Sequence, residues 1–428
     1  MEINRLKKCM KKLWKDTFHD SDVYISLVFD NYFNLDNIEY YEEDGALISA
    51  LLGVPYSFGY GNLTIRGLYL CGLATVESYR NRGIMKNLIT KINKRALANG
   101  YAFTFLIPSS DALRLYYSKS GYLNAIYRVE DRYTDIHNFK NEYMSILAND
   151  DERIRLLKAR NYDSLTVIKL DINNQEEIEK TIRYISSIEN EISTYLGLHH
   201  SQKDILAILE ENSISNGDIY ICKTPNGEIS GVAFMNASIH KRINIPKIYH
   251  KDGSSYYKLL DRIKEGNRDQ SISVFYYPEE SNRQILWQQI YRAANQDGEM
   301  LGGAYRIADR TYDAGRHAKS YGMVKLLDFR EILKFLAKYR SDCKFSILIK
   351  DYEIEDYALK CDIEGGMCNF NTVSNDLADI FKKKDPDLTI LSKQNLAEIL
   401  LRRKDNSNLI MEALGIPRLA MNMSLLLD

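Results

Sequence analysis

The sequence predicts an α/β protein built on mixed sheets, with strand–turn–helix units along its 428 residues. Three observations predict it. Residues 68–76 form an apolar run short enough for a strand buried on both faces. Directly after it, Ile84, Leu88, Ile92 and Ala96 recur at helical spacing, with Met85 and Ile89 widening the stripe. Asp44-Gly45 and Asn226-Gly227 each divide two strand-like runs, which is tight-hairpin chemistry.

Length allows roughly two to four domains, and a hydrophobic content of 45% supports real cores. No apolar run approaches a membrane span, so no membrane partner is expected. Lys plus Arg number 57 against 58 Asp plus Glu, a net charge of −1. A nucleic-acid protein would normally carry a basic excess, so no nucleic-acid partner is expected. The six cysteines are scattered, and even Cys361 and Cys368 have no histidine neighbours. No metal site is expected, and reduced thiols in a cytoplasmic protein are. Leu6, Leu13 and Trp14 among lysines read as an amphipathic helix rather than a signal core.

In chain order, residues 2–17 and 21–33 read as helices, the second entered through Asp20-Ser21-Asp22. Residues 38–44 and 46–52 read as the strands of the first hairpin. The central strand follows, then a turn through Glu77, Ser78 and Tyr79, then Arg80-Asn81-Arg82-Gly83 and the helix, which stops at Asn99-Gly100. Tyr101, Phe103, Phe105 and Ile107 alternate as a further strand closed by Pro108. Ser109-Ser110-Asp111 caps a short helix over 112–120 that stops at Gly121. Charged residues 150–155 read as a linker. A worn copy of the beginning follows: a strand at 165–170, helices at 176–195 and 204–211, two strands about Asn226-Gly227, a strand at SVFYY and a helix at 281–294. The pattern breaks again near 312–321. Strand GMVKLLDF, helix 330–339, strands FSILIKD and DYALKCDIEGG, helix 376–384, strand LTIL, helix 394–403 and a Met/Leu-rich tail complete the chain.

The turn after the central strand is an anion site in outline. The first N–H groups of a helix lack internal acceptors and lie at the positive end of its dipole. Gly83 permits close approach, and Arg80 and Arg82 add charge-assisted bonds. A site this small suits a pyrophosphate. The alternative is an ordinary strand–turn–helix with a solvated basic turn.

Arg80-Asn81-Arg82-Gly83-Ile84-Met85 resembles the acyl-CoA loop of the GCN5-related N-acetyltransferases (GNAT), Arg/Gln-x-x-Gly-x-Gly/Ala, with Met85 in place of the small residue. The enhanced-intracellular-survival (Eis) branch also carries a larger apolar residue there. The element order of residues 1–122 is that of the acetyltransferase fold. The whole chain resembles the Eis arrangement: a catalytic GNAT domain at 1–154, a degenerate GNAT-like domain at 155–318, and a sterol-carrier-protein-like domain at 319–428. The fold class is thus α/β with mixed sheets, tandem GNAT-like domains preceding that C-terminal domain.

The resemblance implies acetyl-CoA as cofactor, held where the two central parallel strands splay apart. Leu73, Ala74 and Thr75 would hold the pantetheine arm by backbone bonds. Arg80, Asn81, Arg82, Gly83, Ile84, Met85 and Lys86 would take the pyrophosphate. Ser110 would touch the cofactor arm, although a plain N-cap would look identical. Tyr117, with Gly121-Tyr122, fits Tyr-x-x-x-Gly-Phe/Tyr. Its phenol, with an ordinary pKa of about 10, would be the general acid that protonates the leaving sulfur; a packing role is the alternative.

In Eis-type enzymes the C-terminal carboxylate enters the active site, which makes Asp428 the candidate base. An apolar tail that finishes a core strand reads equally well, and Glu77 is a second base candidate, otherwise a solvated turn residue. Asp20, Asp22, Asp30 and Asp36 with Tyr24, Phe29, Tyr32 and Phe33 border the acceptor cleft in this fold. Such walls would favour a cationic primary amine, such as an aminoglycoside, a polyamine or a lysine side chain; caps, a solvated face and a core stripe are the alternative. The adjacent His199 and His200 are read as pointing apart, without a functional role.

The expected protein is a cytoplasmic N-acetyltransferase acting by direct transfer in a ternary complex, a homo-oligomer (hexameric by the resemblance). The rival readings are a tandem-GNAT aminoacyl transferase and a non-catalytic CoA- or lipid-binding module.

Overall fold

The computed structural model describes residues 2–148, 150–192, 195–277, 312–314, 319–350, 357–374, 377, 383, 388–401 and 416–423. The chain divides into two compact units. The first is Met1–Ile126, Tyr195–Leu198 and Ser320–Asn422; the second is Tyr127–Thr194, His199–Lys319 and Met423–Asp428. Compactness therefore groups residues 320–422 with the first 126, whereas element order reads as three successive segments.

The first unit opens with α1 (Ile3–Phe18) and α2 (Asp22–Tyr32), the latter capped by Ser21, whose Oγ accepts the Tyr24 N–H at 3.2 Å. Next come β1 (Ile38–Glu43) and β2 (Ala46–Tyr60), antiparallel about Asp44 and Gly45. Both turn residues have positive φ, 51° and 77°, as a primed hairpin turn requires. β2 runs well past the expected residue 52 and turns at Gly61-Asn62 into β3 (Leu63–Thr75), its antiparallel partner. α3 (Ile84–Ala98) then leads to β4 (Phe103–Leu106), which lies parallel to β3. α4 (Asp111–Ser118) and the start of β5 (Leu123–Tyr133) follow.

The other edge of β4 is taken by β13 (Lys319–Leu326), antiparallel, with Met323 opposite Leu106. Short β7 (Leu196–His199) and β18 (Met421–Asn422) pair in parallel, and the main order of this sheet is β18-β7-β2-β3-β4-β13. The apolar stripe of α3 does what its period predicts. Leu88, Ile89, Ile92 and Ala96 are buried in one cluster with Leu51, Leu68, Leu70, Leu106, Tyr117, Tyr122 and Met323. Phe58, Phe103 and Phe105 form a further aromatic group, with Phe58 edge-on to the other two at 5.0 and 5.2 Å.

In the same unit, α10 (Phe329–Tyr339) packs on β3 and on a second, four-stranded sheet. That sheet holds β14 (Phe345–Lys350), β15 (Tyr357–Glu364), β16 (Met367–Ser374) and β17 (Thr389–Ser392) in the order β16-β15-β14-β17, with only β14 and β17 parallel. α11 (Lys393–Leu400) follows β17 and packs on it. β16 occupies a stretch to which the sequence reading assigned no element.

The second unit contains α5 (Phe139–Leu147), α6 (Glu152–Ser164), β6 (Thr166–Lys169), α7 (Gln175–Glu191), α8 (Gln202–Ile214), β8 (Asp218–Lys223), β9 (Ile229–Ile239), β10 (Arg242–His250), α9 (Gly253–Gly266) and β11 (Ser271–Tyr276). β8, β9 and β10 are successively antiparallel, and β10 is parallel to β11 across α9. This is the pairing sequence of β1-β2-β3-α3-β4, so the repeat read about the two hairpins exists as topology. β10, α9 and α5 had not been anticipated. β12 (Tyr312–Ala314) pairs with the end of β5. The linker expected at 150–155 is instead the start of α6, capped by Asp151, whose Oδ1 accepts the Arg153 N–H at 2.9 Å. Its charged sequence misled because nearly the whole helix is solvated; Tyr162 is its buried residue. The helix expected at 281–294 lies outside the described residues, as does most of the one at 376–384.

Candidate active site

The site begins where β3 and β4 part. They are paired at Gly67–Phe103, Leu68–Thr104 and Tyr69–Phe105, and β4 ends at Leu106. From Leu70 onward β3 keeps β2 on one side and has no β4 partner on the other. β3 is also bulged there. Ala50 faces Ala74 while Leu52 faces Cys71, so β3 carries one extra residue against β2. The bulge rests on Gly72, at φ +58°, where a Cβ would lie 2.2 Å from the Trp14 ring. Only glycine fits there. A glycine inside a strand-like run was the available signal for this bulge.

Of the three residues expected to hold a pantetheine arm, two have backbone carbonyls already engaged. The Ala74 carbonyl accepts the Ser49 hydroxyl at 3.0 Å, and that hydroxyl lies 2.8 Å from Thr75 Oγ1. The Thr75 carbonyl accepts Arg80 Nε at 3.2 Å. Leu73, within the bulge, packs its side chain on the α3 cluster. Ser49, fully buried, is a member of the site that the sequence reading missed.

Beyond β3, residues Glu77–Tyr79 make one 3-10 turn, and the chain enters α3 through two left-handed residues, Asn81 at φ +63° and Gly83 at φ +77°. Gly83 is the N-cap and supplies no side-chain acceptor, and the first turn of α3 holds no acidic residue. The leading N–H groups and the positive dipole end are therefore left to an external anion. A Cβ on Gly83 would meet nothing within 4 Å, so the space beside Gly83 is open. Arg80 and Arg82 are both exposed. Arg82 donates Nη2 to the Ser78 carbonyl at 3.0 Å and lies over the Tyr79 ring at 4.6 Å. A guanidinium has five N–H donors, so these anchors orient both arginines and leave donors over. Ile84 is half-buried and Lys86 exposed. Met85 packs into the α3 cluster, which accounts for a bulky side chain where a small one is usual.

Ser110 is the N-cap of α4: its Oγ accepts the Leu113 N–H at 3.3 Å. Tyr117 sits at the end of α4, 7% exposed, in the same cluster as Leu73 and Met85. Its ring stacks edge-on to Tyr116 at 5.3 Å. Its hydroxyl has no hydrogen-bond partner among the described residues and is not one of their sealed, unpaired polar atoms, so it retains an opening. Burial pushes its pKa up to about 12, with neighbouring Tyr116 adding to the rise. Tyr122, the other tyrosine of the motif, behaves differently. It is fully buried, and its hydroxyl lies 2.8 Å from Thr104 Oγ1 and donates to Asn93 Oδ1 at 3.2 Å, which ties α3 to β4. Lys325, from β13, donates to the Ser120 carbonyl at 2.7 Å beside Gly121. No local sequence signal links it to α4.

Glu77 is exposed on its turn. Asp428 lies outside the described residues. The acidic wall expected from α1 and α2 is not free. Asp30 bonds Lys7 at 2.8 Å and lies 3.5 Å from Lys11, and the Lys7 hydrogen bond holds its pKa down. Asp22 pairs with Lys15 at 2.6 Å, and Asp20 accepts the Trp14 indole N–H at 2.7 Å. Asp36 stays exposed, while Tyr24, Phe29 and Tyr32 belong to the buried core and Phe33 is half-buried. The lysines of α1 thus offset the charge of Asp22 and Asp30.

In the second unit His199 and His200 both lie beside Glu189. Buried His200 places Nδ1 2.7 Å from Glu189 Oε1, while Glu189 Oε2 accepts the His200 backbone N–H at 2.8 Å. Tyr249 donates to Glu189 Oε1 at 2.8 Å. Burial alone would raise the Glu189 pKa, but these partners, His200 foremost, hold it below the ordinary value. The His199 Nε2 is buried without a hydrogen-bond partner, and burial lowers its pKa. Among the described residues no group of three or more His, Cys, Asp or Glu could hold a metal ion, and no helix is long and apolar enough to cross a membrane.

Residues 7–124 match the family model of an acetyltransferase (GNAT) domain. No curated protein sequence matches the chain significantly. Among solved structures, the chain is similar to a conserved protein of Enterococcus faecalis described as a probable N-acyltransferase, with TM-score 0.66 and 11% identity over 97% of this chain and 95% of that one. A GCN5-related N-acetyltransferase from Kribbella flavida aligns with TM-score 0.62 and 11% identity over 99% and 98%. Eis1 from Mycobacterium abscessus aligns with TM-score 0.55 and 10% identity over 87% and 84%. At such identities the likeness is one of fold. Residues 7–124, with their splayed parallel strands and uncapped helix N-terminus, thus match the model of an acetyltransferase (GNAT) domain, in a chain whose fold is similar to those of the solved structures above.

Proposed function

We propose that the protein is an acetyl-CoA-dependent N-acetyltransferase of the Eis type, which transfers an acetyl group directly to a primary amine in a ternary complex. The observation that carries this reading is the convergence of three features on one core cluster: the parting of β3 from β4, the uncapped α3 N-terminus, and the Tyr117 hydroxyl, which has no hydrogen-bond partner among the described residues. The chain is read as a catalytic domain at 1–154, a degenerate copy at 155–318 and a sterol-carrier-like domain at 319–428.

The residues present fit the cofactor. The amides of Gly83, Ile84, Met85 and Lys86 with the spare donors of Arg80 and Arg82 would hold its pyrophosphate, and Asn81 shapes the loop. The β3 edge at Leu73 would hold the pantetheine arm, with Ala74 and Thr75 fixing that edge through Ser49 and Arg80. Acetyl-CoA, when bound, supplies the acetyl group as an activated thioester. A backbone N–H at the β3 bulge would face the acyl oxygen, where negative charge develops. Tyr117 stays neutral at working pH and holds a transferable proton at its hydroxyl for the leaving sulfur. The proton taken from the amine goes to a carboxylate, that of Asp428 or of Glu77.

With Asp22 and Asp30 paired to lysines, the acidic wall no longer argues for one amine class. The experiment is therefore a screen. Purified protein with acetyl-CoA and a panel of aminoglycosides, polyamines and lysine peptides should release CoA thiol with at least one acceptor. Protein that binds CoA yet turns over none of them would favour a binding module.

A further inference from the structure

The hairpin of β15 and β16 brings together two cysteines that looked unrelated in chain order. Its two-residue turn, Gly365-Gly366, has both residues left-handed, at φ 58° and 79°. That turn sets Glu364 opposite Met367, and hence Cys361 opposite Phe370 and Cys368 opposite Ile363. Side chains alternate along each strand, so Cys361 and Cys368 stand diagonally on one face of the hairpin. Their Sγ atoms lie 3.2 Å apart. Cys361 is fully buried, whereas Cys368 is part-exposed on β16, the edge strand of the four-stranded sheet. The two thiols are also unequal. The hydrogen bond from Cys361 and the nearby Lys334 charge favour the Cys368 thiolate, while the same contact and burial push the Cys361 thiol up.

The geometry points to Cys361 and Cys368 as a reversible thiol–disulfide site, oxidised by a small disulfide such as glutathione disulfide. Cys368 Sγ, as thiolate, attacks one sulfur of glutathione disulfide; a new S–S bond forms, the old one breaks, and one glutathione leaves as thiolate. Cys361 then loses its proton to solvent and attacks Cys368 Sγ, expelling the second glutathione. Two protein thiols are oxidised, one glutathione disulfide is reduced to two glutathiones, and the sulfurs need close only from 3.2 Å to the bonded distance of about 2.0 Å. The part-exposed thiol meets the oxidant and the buried one resolves the mixed disulfide.

The test uses the full chain, fully reduced, then treated with glutathione disulfide, alkylated and digested. Both cysteines fall in one tryptic peptide, residues 361–382. Oxidised protein should yield this peptide unalkylated and two hydrogen masses lighter, restored by reductant. Cleavage after Glu364 should leave its halves joined until reduction. The protein should lose two of its six free thiols. C361S should instead accumulate a stable glutathione adduct on Cys368. If that variant fails to fold, C361A and the wild-type masses decide. Alkylation of both wild-type cysteines after oxidant, or a glutathione adduct persisting on wild-type Cys368, overturns the proposal.

Discussion

Replacing Tyr117 with Phe separates chemistry from folding more cleanly than any other single change in this site. The ring stays in the cluster with Leu73 and Met85, and the hydroxyl removed has no partner among the described residues to strand. Stability should therefore move by no more than about 1 kcal/mol, because the large penalties arise when a bonded partner is left unsatisfied. Catalysis should respond very differently. Loss of a positioned general acid lowers the rate by roughly 10²–10⁴-fold, or about 3–5 kcal/mol of barrier. The assay is CoA thiol release at saturating acetyl-CoA and amine, run beside a thermal melt and a CoA titration. The expected result is a collapsed kcat with melting and CoA affinity unchanged. Wild-type enzyme should also keep its acid protonated through pH 10, since burial pushes that pKa up to about 12. A Tyr117→Phe enzyme with wild-type kcat would refute the assignment, and a large fall in melting temperature would mean that the hydroxyl had a structural task.

Two glycines should respond differently. Gly83→Ala meets no atom but must hold φ +77°, so it should cost about 1–2 kcal/mol of stability while weakening CoA binding by calorimetry; undiminished CoA affinity would place the phosphates elsewhere. Gly72→Ala drives a Cβ to within 2.2 Å of Trp14 as well as straining the backbone, and should cost about 2–5 kcal/mol in denaturant melts, partly recovered by Trp14→Leu. In the second unit, the folded-state pKa of Glu189 is depressed, so its stabilisation is present above the ordinary value of 4.5 and is lost as pH falls through the folded value. Hydrogen-exchange protection of α7 should fall across that acid window. Glu189→Gln should remove that pH dependence and cost about 1–3 kcal/mol at neutral pH, because the amide nitrogen cannot accept the buried hydrogen bonds that the carboxylate takes from the His200 N–H and Tyr249.

What could be read from the residues was local. The α3 stripe, the Asp44-Gly45 hairpin, the Ser21 and Ser110 caps and the Gly83 entry depend on neighbours a few positions away, and they stand as expected. The pairing of Asp22 and Asp30 was also legible, since Lys7, Lys11 and Lys15 recur at helical spacing on one face of α1. Chain order hides it, because the acids stand on α2 and the lysines on α1. The Cys361–Cys368 approach needed Gly365-Gly366 to be read as a two-residue turn rather than an end. No pattern near Phe103 announces that Leu326 will lie opposite it, nor one near Tyr117 that Lys325 will reach Ser120. Such pairings are decided by long-range packing.

The strand Lys319–Leu326 has a consequence for how the protein is made. The segment that matches the GNAT model is synthesised by residue 124, yet the bare edge of β4 stays unpaired, and the Met323 position in its core unfilled, until the ribosome has passed residue 326. That interval spans roughly 200 residues, or about 10–40 s at ordinary elongation rates. During it the nascent chain displays a short apolar template that any other strand could join. Slow translation, or a fragment cut after the first domain, should therefore draw chaperones or aggregate, and supplying residues 319–422 in trans should rescue it.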